Sequence, residues 1–310
     1  MEAVDVKPLV RGKHVLREVL GLFSYHYRSG RRFAEHDCHN VFEKTVRDLK
    51  SIGFDEMVDK RVLDLGCGQR FPLALQCASS GARVTALDVN YVKPDMLPLS
   101  FYRTLKHDGL KRALKSMLRR LLFDGIYYAS LEGASGKNLR SFRSKITFVL
   151  ADARSGKYPL PSDSYDLVVS NAVVEHVADV NAFGKEIRRL LVRGGLFCAN
   201  IHNFYSLSGG HALGWAYPDE SPSSEVPPWD HLRENRFPSW AYLNRLRPEQ
   251  YRHAFADHLE MVLFEGRDIN HDHGGLEGER FLTPEVEAEL APYSRELLLT
   301  RSWSMICRKT

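Results

Sequence analysis

The sequence predicts an α/β fold in which a doubly wound, mostly parallel sheet is covered by helices on both faces. Two observations carry this prediction. Between Arg61 and His202, short β-rich runs alternate with stretches of helical periodicity. The strand cores are near-continuous runs of Val, Leu, Ile and Ala, as expected for strands that are buried on both faces. The chain has 310 residues, of which 44% are hydrophobic and 26% charged, so a large core can form.

Three regions are predicted along the chain: a helical cap over residues 1–60, a core over 61–203, and a C-terminal region over 204–310 that completes the sheet. Apolar residues recur at helical spacing twice in the cap. The first set is Val15, Val19, Leu20 and Phe23, and the second is Phe42, Val46, Leu49 and Ile52. The core is interrupted by a long insert over residues 91–145.

Five strands are predicted in the core, each bounded by Gly, Asp, Ser or Pro. They are Arg61–Leu65, Arg83–Asp88, Ile146–Ala151, Tyr165–Ser170 and Gly195–Ile201. A helix over Leu73–Ala78 follows the first strand, and a helix over Ala182–Leu191 precedes the last, ended by Gly194 and Gly195. Beyond the core we predict a loop at Pro218–Pro228, a helix at Pro248–Ala256, and strands at Met261–Glu265 and Ser302–Cys307.

Composition excludes several classes of protein. No apolar run reaches the roughly 18 residues that a membrane-spanning helix needs, and Met1–Leu16 holds no hydrophobic segment typical of a signal peptide. We therefore expect a cytoplasmic protein. The five cysteines are odd in number and form no Cys-x-x-Cys pair, which indicates reduced, mostly buried thiols rather than disulfides or a zinc ribbon. They are Cys38, Cys67, Cys77, Cys198 and Cys307.

The positive charge of the chain is concentrated in the insert. The whole chain carries a net charge of +4, whereas residues 91–145 carry a net +8. Residues 110–122 form a leucine-rich helical stripe beside a basic face, and this pattern leaves three interpretations open. The helix is a lid or oligomer helix with solvated charges, a membrane-surface helix at the inner membrane face, or a surface for an anionic acceptor. Aromatic residues do not alternate with the basic ones, so nucleic acid is not an expected partner.

Glycines and acids follow the predicted strands in a fixed order. The first strand contains Asp64 and runs into Gly66, Cys67 and Gly68, a turn that needs glycine where a ligand lies against the backbone. The other strands end at further polar residues, and the carboxyl ends of parallel strands meet at one edge of the sheet. These residues are Asp88, followed by Val89; Asp152, followed by Ala153; and Asn171. No third glycine follows, since Phe71 and Pro72 occupy that place.

This ordered set resembles the class I S-adenosylmethionine-dependent methyltransferases over residues 61–201, the insert set aside. The resemblance implies a seven-stranded Rossmann-like fold and S-adenosylmethionine as cofactor. It implies that the Gly66–Gly68 loop lies under the methionine part and that Asp64 is the acid preceding it. Asp88 would bind the ribose, with Val89 beside it, Asp152 and Ala153 would hold the adenine, and Asn171 would lie near the sulfonium. Arg70 departs from the pattern, since many members have another glycine there.

The catalytic base is expected among the histidines after the fourth and fifth strands. His176 is the first candidate and His202 the second, because imidazole titrates near neutral pH; for both, a structural hydrogen-bonding role stays open. His211 could line the acceptor pocket or form a turn. A metal is not expected, and the polar triplet His271–His273 is weighed as a solvated turn against a metal site.

The acceptor is expected to be a hydroxyl, since no Asn/Asp-Pro-Pro-Tyr/Phe motif follows the fourth strand. Segments around Trp229 and Tyr242 resemble bacterial methyltransferases of glycan biosynthesis, which implies a sugar or glycan intermediate as acceptor. Trp229, Trp240 and Tyr242 could stack on sugar faces, or pack their loop onto the domain. Two alternatives stay open: a natural product or lipid-type small molecule as acceptor, and a cofactor-binding module without turnover.

Overall fold

The computed structural model describes residues 30–93, 96–216, 218, 222–239, 241–267 and 276–310. The first predicted helical stretch of the cap, the His271–His273 triplet and Trp240 lie outside these residues. The second helical stretch of the cap is present as helix α1. It comprises residues 30–36, a π-helical segment Asp37–Glu43 and the α-helical segment Lys44–Ser51.

A single sheet of seven strands forms the centre of the molecule. The strands are β1 (Arg61–Leu65), β2 (Arg83–Asp88), β3 (Thr147–Leu150), β4 (Tyr165–Asn171), β5 (Leu191–His202), β6 (Glu260–Arg267) and β7 (Ser302–Arg308). Their order is β3-β2-β1-β4-β5-β7-β6, and only β7 runs antiparallel to both of its neighbours. The order reverses between β1 and β4, which pair in parallel. Open α/β sheets bind ligands at this kind of switch point. The predicted fold is confirmed.

Helices cover both faces of the sheet. They are α2 (Pro72–Ser79), α3 (Leu97–Asp108), α4 (Leu110–Leu122), α5 (Asp124–Ser135), α6 (Val180–Leu190), α7 (Pro248–Ala256), α8 (Pro284–Glu289) and α9 (Arg295–Leu299). One apolar core packs α6 and α7 on the sheet, and a second packs α1, α2 and α5 on the opposite face. Alternate residues of a strand contribute to different cores: Leu63 belongs to the first and Val62 to the second. The two-sided burial predicted from the apolar strands is therefore present.

The end of α6 differs from the prediction. Gly194 and Gly195 do not stop the helix, which ends at Leu190 and is followed directly by β5. The two glycines lie inside β5, where its pairing with β4 shifts register between Tyr165 and Leu167. Gly194 has a φ of +77°, and a Cβ on Gly195 would lie 3.1 Å from the Tyr165 carbonyl oxygen. The glycines thus permit an irregular strand, a use that a glycine pair after a helical pattern does not reveal.

The insert is helical, but α4 turns its leucine side to the solvent, whereas a core helix turns its apolar side inward. Ala113 is buried, whereas Leu110, Leu114 and Leu121 are exposed. Arg119 instead points inward, toward the glycine loop after β1. None of the described helices is long and apolar enough to cross a membrane.

The five cysteines and the Pro218–Pro228 segment were also predicted from the sequence. All five thiols are free and buried, as expected. Among the described residues, no helix or strand lies between Trp215 and Asp230. Within this segment, Val226 packs against a third apolar cluster, which contains the buried Trp215 and Trp229 on either side of it.

Candidate active site

The glycine loop after β1 has the conformation that the sequence pattern requires. Gly66 has a φ of +78° and Gly68 a φ of +69°. A Cβ on Gly66 would lie 2.3 Å from Val173 Cγ2, so no other residue fits without displacing Val173. At Gly68 a Cβ would meet nothing within 4 Å, which indicates open space above the loop. The loop therefore approaches the end of β4 closely on one side and leaves room for a ligand on the other.

Two carboxylates hold this loop. Asp88 Oδ2 accepts a hydrogen bond from Gly68 N at 2.9 Å, and its Oδ1 accepts from Asn90 N at 2.8 Å. Asp64 Oδ2 accepts from Ala74 N at 3.0 Å, which connects β1 to helix α2. Burial raises the pKa of Asp64 to about 7, and the nearby Asp88 adds to this effect.

A cavity of about 680 Å³ opens beside the loop. Five of the nine predicted cofactor residues line it: Asp64, Gly66, Cys67, Gly68 and Asn171. Asn171 lies at the end of β4, where its Oδ1 accepts from Asn200 Nδ2 at 2.9 Å. The volume is within the usual range for sites of cofactors and small molecules, roughly 300–1,000 Å³.

The other four predicted cofactor residues lie beyond this cavity at the same sheet edge. Asp88 is at the end of β2, followed by Val89, and pairs in register with Leu150 of β3. Ala151 N donates to the Asp88 carbonyl at 3.0 Å, so the Asp152–Ala153 turn lies next to β2. Asp152 is paired with Arg154 at 2.8 Å, and this hydrogen bond lowers the pKa of the carboxyl. The fold thus places the nine residues along one edge; their contacts with a cofactor stay a prediction.

The residues at the cavity fit the cofactor that the fold implies. Gln69 Nε2 and Arg112 Nε are buried donors without a partner, and both side chains line the cavity. Buried polar atoms without partners are rare in folded proteins and are satisfied when a ligand binds. S-adenosylmethionine carries a carboxylate, which accepts hydrogen bonds from such donors. Together with the open space over Gly68, these donors provide a site of matching chemistry.

Arg70, the departure from the glycine pattern, contacts the insert. Its Nε donates to Asp124 Oδ1 at 2.8 Å, and its guanidinium lies 4.3 Å from the ring centroid of Tyr127. Arg119 Nη1 donates to Gln69 Oε1 at 2.8 Å. The insert is therefore attached to the glycine loop through charged groups, a role that sequence reasoning missed. The local excess of Arg in the insert was the only signal in the sequence.

The histidines lie at the ends of β4 and β5. His176 Nδ1 lies 2.8 Å from the Tyr242 carbonyl oxygen, and a carbonyl can only accept, so Nδ1 carries the proton. In neutral His176 the lone pair is therefore on Nε2. The His176 and His211 rings meet edge to face with centroids 5.1 Å apart. The structure thus brings His211 to the first predicted base, His176.

His202 is enclosed by hydrogen-bonding partners. Its Nδ1 lies 3.0 Å from His211 Nε2, and its Nε2 lies 2.9 Å from Ser208 Oγ. Ser208 donates to Glu277 at 3.5 Å, and Glu277 is paired with Arg301. With the Ser208 proton directed to Glu277, His202 donates through Nε2 and accepts from His211 through Nδ1. The lone pair of neutral His211 is then on Nδ1, which has no partner in this chain of hydrogen bonds.

Burial keeps this cluster uncharged. The pKa of His202 lies well below its usual value, and that of His211 is lowered to about 4. In both cases burial is the largest cause. Next to His176, both carboxylate oxygens of Glu175 are buried without a hydrogen-bond partner, and burial raises the pKa of Glu175 to about 8. At neutral pH these groups are therefore neutral in the folded protein.

Trp229, weighed for sugar stacking, and the polar residues that follow it in the chain are structural. Trp229 is fully buried, and its Nε1 donates to the Tyr205 carbonyl at 3.1 Å. Asp230 is buried and accepts from Phe237 N at 2.8 Å, while His231 Nε2 donates to the Phe204 carbonyl at 2.7 Å. Tyr242, in contrast, is 54% exposed. Of the aromatic candidates that the structure describes, Tyr242 is thus the one with a free ring face.

Comparisons with known proteins agree with this fold. Residues 126–199 match the family model of a methyltransferase domain, which spans α5, β3, β4, α6 and most of β5. No curated protein sequence matches the chain. An S-adenosylmethionine-dependent methyltransferase from Mesorhizobium loti is similar at 18% identity and a TM-score of 0.45, covering 84% of this chain and 96% of that one.

Geranyl diphosphate C-methyltransferase from Streptomyces coelicolor is similar at 11% identity and a TM-score of 0.45, covering 88% of this chain and 80% of that one. Similarities at this level say nothing about the acceptor. The matched domain model indicates a methyltransferase domain, and the seven-stranded sheet with glycines and acids at its carboxyl edge agrees with it. The chain thus contains a methyltransferase domain, matched over residues 126–199, within a seven-stranded Rossmann-like fold.

Proposed function

We propose that this enzyme methylates a hydroxyl group of a sugar or glycan intermediate, with His176 as the base. The observation that carries the proposal is the pair of imidazoles beyond β4 and β5, each with one nitrogen lone pair that no described residue occupies. They lie at the same sheet edge as Asn171, which lines the cavity beside the glycine loop. A hydroxyl, unlike an amine or a thiolate, must lose a proton during methyl transfer.

The residues of the chain contribute positioning and proton transfer. When bound, S-adenosylmethionine supplies a methyl group on a positively charged sulfur. The Gly66–Gly68 loop, Asp88 and Asn171 would hold this cofactor at the carboxyl edge, so the acceptor would need only to be aligned. His176 Nε2 accepts the hydroxyl proton, and the Tyr242 carbonyl fixes the ring by accepting from Nδ1.

His202, the second candidate, takes a different part in this proposal. Both of its ring nitrogens are engaged, so it positions His211 rather than receiving a proton from the acceptor. Tyr242 supports a sugar as acceptor, because an exposed aromatic ring can stack on the apolar face of a pyranose. A natural product or lipid-type small molecule is the second candidate, favoured by apolar residues that line the cavity. These are Phe33, Val41, Leu118, Phe123 and Tyr127.

The first test uses labelled methyl groups. The enzyme is incubated with methyl-labelled S-adenosylmethionine and extract of the source cells, which is then separated into glycan, lipid, nucleic-acid and small-molecule pools. Label in the glycan pool is expected. Label in the lipid or small-molecule pool would replace the acceptor with the second candidate. Cofactor binding by calorimetry without label in any pool would indicate a binding module without turnover.

The base is tested with His176→Asn, because the Asn side-chain amide can still donate to the Tyr242 carbonyl. We expect kcat to fall by roughly 10²–10⁴-fold while the affinity for S-adenosylmethionine is unchanged. The matched control is His253→Asn, at an exposed position on α7. Equal activity of the two variants would exclude His176 as the base.

A further inference from the structure

Large apolar side chains are exposed mainly in the insert. Ten of the sixteen exposed large hydrophobic residues of the described chain lie between Met96 and Ile126. Six of them, spaced three to seven residues apart along helices α3 and α4, define what we call the apolar face: Leu99, Tyr102, Leu105, Leu110, Leu114 and Leu121. Single exposed hydrophobic residues are ordinary, but a cluster of this size marks an interaction site.

Polar contacts on the other side of α4 hold the apolar face outward. Ser116 Oγ donates to Gln69 Oε1 at 3.0 Å, and Arg119 donates to the same oxygen and to Asp124. Arg112 lines the cavity. Turning the leucines inward would break these contacts and place arginines in the solvent. The exposure of the apolar face is thus fixed by the attachment of α4 to the glycine loop.

The charge around the apolar face is positive. Lys106 and Lys111 are exposed beside its leucines. The two acids of residues 96–126 are engaged elsewhere: Asp108 accepts from Tyr91 N at 2.9 Å, and Asp124 is paired with Arg70. The described part of this face therefore presents leucines and ammonium groups without an exposed carboxylate. Interfacial helices combine apolar and basic residues in this way, since lipid headgroups attract the cations.

We propose that the apolar face binds the surface of a membrane that contains anionic lipids. The leucines enter the boundary between headgroups and acyl chains, and Lys106 and Lys111 bind lipid phosphates at its border. This inference is independent of the acceptor assigned above. It places α4 between the bilayer and the cavity, because Arg112 and Arg119 on its other side line the cavity wall.

The test is sedimentation of the full chain with vesicles of phosphatidylcholine alone or mixed with phosphatidylglycerol. We expect binding to the mixed vesicles at least tenfold stronger than to the neutral ones, and weaker binding at high salt. L110Q/L114Q/L121Q should lose at least tenfold in binding to the mixed vesicles. K106Q/K111Q should weaken binding to the mixed vesicles roughly fivefold for each lysine removed, and should leave binding to the neutral vesicles unchanged. None of these five residues lines the cavity.

The matched control is V58Q/F237Q, which removes two exposed apolar side chains outside the insert. Circular dichroism and thermal unfolding verify that every variant is folded. Failure of the full chain to bind either vesicle would overturn the proposal, as would equal losses in the control. So would a dimer in ultracentrifugation that the leucine variant dissociates without any vesicle binding, because the occupant would then be a second copy. Binding that requires removal of residues 1–29 would assign the face to the chain's own first segment.

Discussion

At the scale of single residues, Gly66 is the position where backbone conformation and packing coincide. Its φ of +78° disfavours any side chain, and the Val173 side chain fills the place of a Cβ. The glycine therefore serves two purposes: it permits the turn after β1, and it brings the end of β4 against that turn. A ligand that contacts both strand ends depends on this approach.

Gly66→Ala should weaken S-adenosylmethionine binding by at least tenfold and lower the stability by about 2–4 kcal/mol, since strain and overpacking add. Calorimetric titration and thermal unfolding measure the two effects. Gly53→Ala is the control, because Gly53 has a φ of +85° with nothing within 4 Å of a Cβ. Gly53→Ala should lower the stability only by the cost of the strained backbone conformation. A Gly66 variant with unchanged cofactor affinity would contradict the assignment of the loop.

At the scale of elements, the C-terminal segment holds the turn that carries Glu175 and His176. Asn244 Nδ2 donates to the carbonyls of Val174 at 2.8 Å and Val177 at 3.1 Å. Its backbone N donates to the Glu175 carbonyl at 2.8 Å. One side chain thus supports both ends of the short 3₁₀ turn Val174–His176, whose own backbone bond runs from Val177 N to the Val174 carbonyl at 3.1 Å. The position of His176 therefore depends on a residue nearly 70 positions away in sequence.

Asn244→Ala should lower kcat and raise the KM for the acceptor, because the His176 turn loses its support. We expect a loss of about 1–3 kcal/mol in stability, because the Val177 carbonyl loses the Asn244 donor and the Val174 carbonyl keeps only its bond from Val177 N, with the affinity for S-adenosylmethionine unchanged. Steady-state kinetics, calorimetry and denaturant unfolding measure these quantities. Asn181→Ala, which removes a hydrogen bond from α6 to Asp257, is the control. If both variants had the same kinetics, Asn244 would have no part in positioning His176.

At the scale of the whole molecule, buried titratable groups act on stability in opposite directions. Burial lowers the pKa of His36, His211 and His231 to about 4, so the unfolded chain takes up protons that the folded one refuses between pH 6.5 and 4. Their contribution lowers the free energy of unfolding as the pH falls through that window. Glu175, with a raised pKa of about 8, keeps a proton that the unfolded chain loses, so its contribution falls as the pH rises to 8.

The histidines are common to the natural chain and to Glu175→Gln, so their contribution cancels in the difference between the two and the Glu175 effect can be isolated. Glu175→Gln resembles the protonated side chain, and its stability advantage over the natural chain should grow by about 1–2 kcal/mol between pH 6.5 and 8. Denaturant unfolding at several pH values measures this difference. Glu260→Gln, at an exposed position on β6, should show no such growth. A constant difference for Glu175→Gln would mean that the carboxyl is already ionised at pH 6.5.

Much of the fold was predictable because its signals are local. The bounds of β1, β2 and α7 match the predicted ones, since apolar runs between Gly, Asp and Pro define buried strands, and proline defines a helix start. The Gly194–Gly195 prediction was wrong, because a glycine pair permits both a helix end and an irregular strand. Only the pairing of β4 with β5 distinguishes the two.

The candidate site was predictable in part, for the same reason. Strand-end residues such as Asp88 and Asn171 could be placed at one edge, because parallel strands share their direction. The chain of hydrogen bonds from His211 through His202 to Glu277 could not, since its members are distant in sequence and no pattern links them. For Trp229 the sequence left sugar stacking and loop packing both open, because an aromatic residue in a loop carries no mark that it is buried; the structure shows packing.

The sequence by itself determined the class of fold, the glycine loop and the acids at the strand ends. These depend on backbone conformation and on the spacing of apolar side chains, which repeats every two residues in a strand and every 3.6 residues in a helix. The tertiary structure decided which face of α4 points outward. An amphipathic helix has a polar and an apolar side, and the sequence alone left open which of them faces the rest of the protein. Here Gln69 and Asp124 offer buried partners to Arg119, so these contacts turn the arginine side of α4 inward and leave the leucines exposed.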